Sequence, residues 1–167
     1  MPADKLGPHL AAIFPDSARA GEVLRAKRWR VAVAESCTGG LLGAALTAVP
    51  GSSTYVVGGV IAYDNAVKTN LLGVSADALR QEGAVSEVVA TGMARGARER
   101  LDAEVGVAIT GVAGPGPEDG GKPAGLVFVA LDAPGVERVV RLDRDRGREE
   151  NRAAAVHVAL ELLAALE

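Results

Sequence analysis

The chain has 167 residues, 49% of them hydrophobic and only 3% aromatic, and a formal net charge of −3. This length fits one domain, covering residues 1–167, with a full core of small aliphatic side chains in close layers. Because basic residues are scattered among acidic ones, the composition excludes the electrostatic footprint of a nucleic-acid-binding protein.

The amino-terminal segment, MPADKLGPHLAAIFPD, carries acidic residues and prolines where a signal or transit peptide would have a basic run and a long apolar stretch. No segment reaches the roughly 18 uninterrupted apolar residues typical of a membrane span. The single cysteine, Cys37, excludes an internal disulfide framework and leaves no Cys/His cluster with zinc-ligand spacing. We therefore expect a cytoplasmic protein with no metal, no cofactor and no membrane partner.

The first third of the chain predicts a helix, a strand, a glycine turn and a second helix. Helix-like apolar spacing extends over residues 10–28, where Pro15 either starts the main helix or breaks an earlier turn. Residues 30–36 are typical of a strand. The turn Thr38-Gly39-Gly40 then leads into a helix whose apolar residues from Leu41 to Leu46 share one face.

The middle of the chain predicts a buried strand and three capped helices. Residues 54–63 are apolar and β-branched, and Gly58-Gly59 indicates a bulge or a close backbone approach. Hydroxyl, carboxylate and amide side chains that typically cap helices follow at Asp64 or Asn65, Ser75 and Ser86, and Gly73 is placed to end the first of these helices.

The last third predicts a strand over 104–110, a glycine-rich loop over 111–125, an antiparallel hairpin of strands 126–131 and 136–142, and a helix over 147–166. This order of elements predicts an α/β fold. We expect a three-layer α/β/α sandwich around a mixed, mostly parallel sheet of about five strands.

The segment AESCTGG places Ser36 at a strand end, before a helix. Ligands of open α/β sheets gather at such positions, where free backbone N–H groups favour negative charge. Thr38, Gly39 and Gly40 are therefore candidate donors to a phosphate or an oxyanion. The alternative is that Ser36 only caps the helix.

A serine nucleophile needs a base, and Lys68 is the candidate. Tyr63 and Lys68 are five residues apart, so both side chains can point into the crevice of Ser36. A lysine base has to be substantially neutral, which requires its pKa to fall roughly 3 units from about 10.4. Tyr63 is a candidate proton relay or donor. The alternatives are a solvated lysine, a strand-end aromatic residue and, for His157, a packed or surface residue of the last helix.

Two further regions are candidates for anion binding. The loop 111–125 offers backbone amides and the charge of Lys122, although it can also be only a mobile surface loop. Arg148 and Arg152 are four residues apart on the last helix, so they share a face and can clamp an anion.

Several spaced motifs, taken in order, resemble the CinA C-terminal domain, a family also known as PncC, the nicotinamide-nucleotide amidohydrolases. They are AESCTGG, IAYDNAVKTNLLGV, GAVSEVVA, AITGVAGPGP, GKPAG and GREENR. The resemblance covers residues 30–166. The loop departs from the family pattern, which more often has extra glycines before Glu-Lys-Pro. Family members commonly carry a further N-terminal domain, and we expect this chain to be the stand-alone form, without the pyrophosphatase activity associated with that domain.

The resemblance implies hydrolysis of the carboxamide of nicotinamide mononucleotide to nicotinate mononucleotide and ammonia, in pyridine-nucleotide salvage. It implies Ser36 as nucleophile, Tyr63 and Lys68 as catalytic partners, and Arg152 as the arginine of the last-helix motif, with Arg148 as the neighbouring candidate. The positions expected around the substrate are Thr38, Gly39, Gly40, Asn65, Thr110 and Gly114.

Two other hypotheses are weighed against this reaction. One is a non-catalytic nucleotide-binding module linked to competence or recombination proteins, which uses the same glycine loops. The other, a nucleic-acid adaptor, is disfavoured by the acidic balance and by the few aromatic residues for base stacking. A homo-oligomer is compatible with each hypothesis.

Overall fold

The computed structural model describes residues 9–166, so the first eight residues of the amino-terminal segment lie outside the described part. The helices are α1 (Leu10–Ile13), α2 (Asp16–Lys27), α3 (Leu41–Thr47), α4 (Asn65–Leu72), α5 (Ala76–Glu82), α6 (Glu87–Arg100) and α7 (Arg148–Ala164). The strands are β1 (Val31–Glu35), β2 (Val56–Ile61), β3 (Val105–Gly111), β4 (Leu126–Ala133) and β5 (Val136–Asp143). None of the helices in this part of the chain is long and apolar enough to cross a membrane.

The five strands form one mixed sheet in the order β2-β1-β3-β4-β5. β1 pairs in parallel with β2 and with β3, whereas β3–β4 and β4–β5 are antiparallel. The predicted mixed five-stranded sheet and its carboxyl-terminal hairpin are therefore confirmed. Two of the four strand pairings are parallel and two are antiparallel, so parallel pairs do not predominate as expected. The reason is that only the first three strands are joined by helical crossovers, which parallel pairing needs.

Helices cover both faces of the sheet, as the three-layer prediction requires. One cluster of buried side chains joins the sheet to α2, α3 and α7, and a second joins it to α4, α5 and α6. The layers are in close contact, since a Cβ at Gly96 would overlap the Leu72 carbonyl and one at Gly106 would overlap the Ala94 carbonyl. Glycine is therefore required at both positions, since even alanine carries the Cβ atom that would overlap.

Local signals placed the helix ends correctly. The side chains of Asp64, Ser75 and Ser86 each accept a backbone N–H at the start of α4, α5 and α6. Pro15 fits both alternatives, since it separates α1 from α2 and occupies the N-cap position at which α2, the longer helix, begins. His157 packs against Phe14 with ring centroids 4.9 Å apart, as expected of a helix histidine with no catalytic role.

The prediction of a buried strand over residues 54–63 is wrong. β2 is the first strand of the sheet, so only β1 pairs with it, and Ile61 is 58% exposed. The bulge predicted at Gly58-Gly59 is present, because the register with β1 shifts between Val56 and Gly58. Apolar composition alone does not separate an edge strand from a central one.

Candidate active site

A crevice of about 470 Å³ opens at the sheet edge where the three parallel strands end. This is the edge at which open α/β sheets bind ligands, and the volume suits a small molecule. Seven of the residues expected at the site line it: Ser36, Tyr63, Asn65, Lys68, Thr110, Gly114 and Arg148. A larger groove of about 910 Å³ follows α5 and α6 and contains none of them.

Ser36 and Lys68 meet inside this crevice. Lys68 Nζ donates to Ser36 Oγ at 3.3 Å, and both residues are buried. Strand β1 delivers the serine, and the second turn of α4 delivers the lysine. The same ammonium donates to two main-chain carbonyls, Ala62 O at 2.7 Å and Tyr63 O at 3.2 Å. The lysine is thus held in place by the chain that follows β2.

The surroundings of Lys68 make its ammonium easier to deprotonate than that of a solvated lysine. Burial lowers its pKa below the ordinary value, although the nearby Asp64 carboxylate and Cys37 oppose this effect. Three acceptors surround Nζ, so an ammonium can donate to all of them. A neutral amine can donate to the two carbonyls and accept the Ser36 hydroxyl proton through its lone pair. Both protonation states are accommodated, as a group that takes up and returns a proton requires.

Tyr63 lies at the mouth of the crevice and is 63% exposed. Its main-chain carbonyl contacts Lys68, but within residues 9–166 its phenol has no hydrogen bond to Ser36 or Lys68. Of the three side chains expected to meet, those of Ser36 and Lys68 are in contact and that of Tyr63 is not hydrogen-bonded to either.

The glycine turn after Ser36 is organised differently from the expectation. Gly39 N donates to Ser36 O at 3.1 Å, and Gly40 N donates to the Glu35 carboxylate at 3.2 Å. Both amides are hydrogen-bonded within the turn and neither glycine lines the crevice, so the binding of a phosphate or an oxyanion by these two amides stays a prediction. Cys37 does line the crevice, and its amide donates to no other residue in the described part of the chain.

Thr38 and Arg152 lie behind the turn. Thr38 is fully buried, and its carbonyl accepts a hydrogen bond from Arg152 Nη2 at 3.1 Å. Neither residue lines the crevice, so this structure does not place them at a bound substrate. Arg148 does line it and donates to Gly114 O at 2.6 Å. Although the two arginines are four residues apart on α7, they bind carbonyls of different loops and do not converge on one anion.

The glycine-rich loop packs against the linker between α5 and α6. Lys122 Nζ donates to the carbonyls of Glu82 and Val85, and Thr110 Oγ1 donates to Ala84 O at 2.8 Å. The lysine expected to supply charge to a phosphate is thus used to anchor the loop and does not line the crevice. Since the Thr110 hydroxyl donates its hydrogen bond to a carbonyl, its oxygen can only accept a hydrogen bond from a ligand.

Sequence reasoning missed three residues of the site. Asn151 is buried and binds Ala113 O at 3.0 Å, Asp145 Oδ1 at 2.9 Å and the Arg146 amide at 2.8 Å, which ties α7 to the crevice wall. The sequence could have indicated Asn151, because it is a polar residue at a helical position that continues the buried face of α7. Cys37 lines the crevice, but burial raises the pKa of its thiol to about 11, which keeps it protonated at neutral pH. The third is Glu35.

Comparison with known proteins identifies the family. The model of the CinA C-terminal domain matches residues 16–166. A CinA-like protein of Gloeobacter violaceus is 53% identical over 135 residues, which are 80% of this chain and 32% of that protein. A CinA-like protein of Gemmatimonas aurantiaca is 54% identical over 136 residues, which are 80% of this chain and 31% of that protein. The chain thus spans about a third of the length of the curated relatives it matches.

Solved structures agree with this result. The competence/damage inducible protein CihA from Agrobacterium tumefaciens superimposes with a TM-score of 0.88 at 40% identity, over 96% of this chain and 98% of that one. A CinA superfamily protein from Escherichia coli has a TM-score of 0.88 at 37% identity, over 92% and 90% of the two chains. On sequence and on structure, the chain belongs to the CinA C-terminal domain family.

Proposed function

We propose that the chain hydrolyses the carboxamide of nicotinamide mononucleotide, giving nicotinate mononucleotide and ammonia. The observation that carries this proposal is the buried pair of Lys68 Nζ and Ser36 Oγ, 3.3 Å apart in a crevice at the carboxyl edge of the sheet. A serine paired with a desolvated lysine is a known variant of the serine-hydrolase triad.

The reaction proceeds through an acyl-enzyme. Neutral Lys68 accepts the Ser36 proton as Oγ attacks the carboxamide carbon, and the Cys37 amide donates to the oxygen that becomes negative. The Lys68 ammonium returns the proton to the departing NH₂ group, and ammonia leaves as the C–N bond breaks. A water molecule then gives its proton to Lys68 and attacks the ester, which releases the carboxylic acid and restores the Ser36 hydroxyl.

Tyr63 has a second proton-handling role in this scheme. Its exposed ring closes over the bound nicotinamide, and the phenol then donates a hydrogen bond to the leaving nitrogen, which takes its proton from Lys68. Tyr63→Phe keeps the ring and removes the proton, so kcat falls while the affinity for the mononucleotide is retained.

The remaining crevice residues orient the nucleotide. Thr110 accepts a ribose hydroxyl or a carboxamide N–H, and Asn65, in the first turn of α4, offers both a donor and an acceptor. Gly114 lines the crevice beside Arg148, and in this scheme the Arg148 guanidinium binds the phosphate. Arg152 holds the turn of the nucleophile from behind.

The decisive experiment is to incubate the purified chain with nicotinamide mononucleotide and to measure ammonia. Ser36→Ala should abolish ammonia release while calorimetry still detects binding of the mononucleotide, and Lys68→Ala should do nearly the same. Ser53→Ala, at an exposed serine outside the crevice, is the matched control and keeps wild-type turnover. Full turnover by Ser36→Ala would refute the proposal, and binding without ammonia release by the wild type would favour the nucleotide-binding module.

A further inference from the structure

Glu35 is a buried carboxylate beside the nucleophile that the reaction scheme does not use. It is the last residue of β1, is 1% exposed and does not line the crevice. Its carboxylate accepts three backbone N–H groups, from Gly40 at 3.2 Å, Leu42 at 3.0 Å and Gly43 at 2.8 Å. The side chain therefore reaches across the turn that begins at Ser36 and binds the start of α3.

The main chain of the same residue reaches toward the lysine. Glu35 O accepts the amide of Ala62 at 2.7 Å, and the carbonyl of Ala62 accepts Lys68 Nζ at 2.7 Å. Ser36 follows directly in the chain. One residue thus connects the turn of the nucleophile, the first turn of α3 and the carbonyl that holds the lysine.

The hydrogen-bond donors around the side chain match a carboxylate group. Three N–H donors face the side chain, and a carboxylate has acceptor sites for all of them, whereas glutamine would turn its NH₂ group toward a backbone N–H. Within residues 9–166 no lysine or arginine forms an ion pair with Glu35. The unpaired amides of the first helical turn offset its charge instead.

We propose that Glu35 is a positioning residue for the reaction described above, on which this inference rests. By holding the end of the Ser36–Gly40 turn against β1, it keeps Ser36 Oγ beside Lys68 Nζ. Small displacements of a reacting group are costly, since about 1 Å of misplacement can lower a rate about 10²-fold.

The test is Glu35→Gln, measured as kcat and KM for ammonia release from nicotinamide mononucleotide. We expect kcat to fall about 10²-fold and KM to change less than about threefold, because the side chain lies outside the crevice. Labelling of Ser36 by a fluorophosphonate, followed by intact mass, should slow by a similar factor. A role in folding alone would lower the melting temperature without changing kcat or the labelling rate of the folded fraction.

A second pair of variants covers the case in which Glu35→Gln does not fold. Gly43→Pro removes the N–H that donates to Glu35 and adds a ring at the third residue of α3, in the first helical turn, where proline is tolerated. Gly43→Ala keeps that N–H, and its Cβ would lie 3.6 Å from the Glu35 carboxylate, an ordinary contact. We expect Gly43→Pro to lower kcat and the labelling rate and Gly43→Ala to leave both unchanged.

The outcomes separate the two proposals. A wild-type chain that neither releases ammonia nor is labelled at Ser36 refutes the proposed function, and the role of Glu35 with it. An active wild type whose folded Glu35→Gln and Gly43→Pro variants keep wild-type kcat and labelling rates overturns the role of Glu35 alone.

Discussion

Replacing Arg148 tests how the substrate phosphate is bound. Arg148 lines the crevice and spends one N–H on Gly114 O, which leaves four of its five donors for a ligand. A hydrogen bond to a charged group contributes about 1.5–3 kcal/mol. Because this side chain is solvent-exposed, we use the lower half of that range, which corresponds to a loss of roughly 10- to 40-fold in affinity.

The assay compares two substrates, nicotinamide mononucleotide and nicotinamide riboside, which lacks the phosphate. Arg148→Met should raise KM for the mononucleotide by about 10- to 40-fold with little change in kcat, and it should leave kcat/KM for the riboside unchanged. Arg152→Met, which releases the Thr38 carbonyl behind the turn, should lower kcat for both substrates. Equal losses for both substrates on replacement of Arg148 would refute its assignment to the phosphate.

The remaining predictions concern three buried polar side chains, those of Lys68, Tyr55 and Asn151. Because burial lowers the pKa of Lys68, the wild-type rate should rise as the pH increases from neutral toward that lowered pKa, and Lys68→Met should reduce kcat by about 10²–10⁴-fold; a wild-type rate independent of pH between 6 and 10 would contradict a lysine base. Tyr55 is fully buried and its hydroxyl has no hydrogen-bond partner within residues 9–166, so Tyr55→Phe should leave the free energy of unfolding in urea unchanged or raise it by about 1 kcal/mol. Gly21→Ala, whose Cβ would lie 2.5 Å from that hydroxyl, should lower the free energy of unfolding by about 1–3 kcal/mol. An increase in this free energy would show that α2 or Tyr55 shifts to make room for the Cβ atom, and would contradict the predicted overlap. Asn151→Leu should lower the free energy of unfolding by about 2–4 kcal/mol, because Ala113 O and the Arg146 amide lose their hydrogen-bond partner. A change below about 0.5 kcal/mol would contradict the role of Asn151 in tying α7 to the crevice wall.

Local chemistry made most of the secondary structure predictable. Helix caps, the hairpin and the strand–turn–helix at Ser36 depend on residues within a few positions of one another, and the structure has them as expected. The exposure of β2 was not predictable in this way, because it depends on which strand lies beside it. An apolar run is compatible with either a central or an edge position.

The same division holds for the site. Ser36 and Lys68 are 32 positions apart. Ser36 follows β1 and Lys68 lies in the helix that follows β2, and these parallel strands end at one edge of the sheet, so their meeting could be expected from the sequence. Tyr63 was expected to join them, but the direction of an exposed ring depends on packing that no local pattern encodes. Its phenol lies at the rim instead.

The sequence by itself determined the family, the layer architecture and the pairing of Ser36 with Lys68, because these follow from motif order and periodicity. Only the tertiary structure decided which amides and cations remain available to a ligand. Glu35 occupies the Gly40 amide, Arg152 holds the Thr38 carbonyl 114 residues away, and Lys122 is bound to carbonyls of a distant linker. A hydrogen-bonding group satisfied within the fold is not free for a substrate, and that competition is settled only when the whole chain has packed.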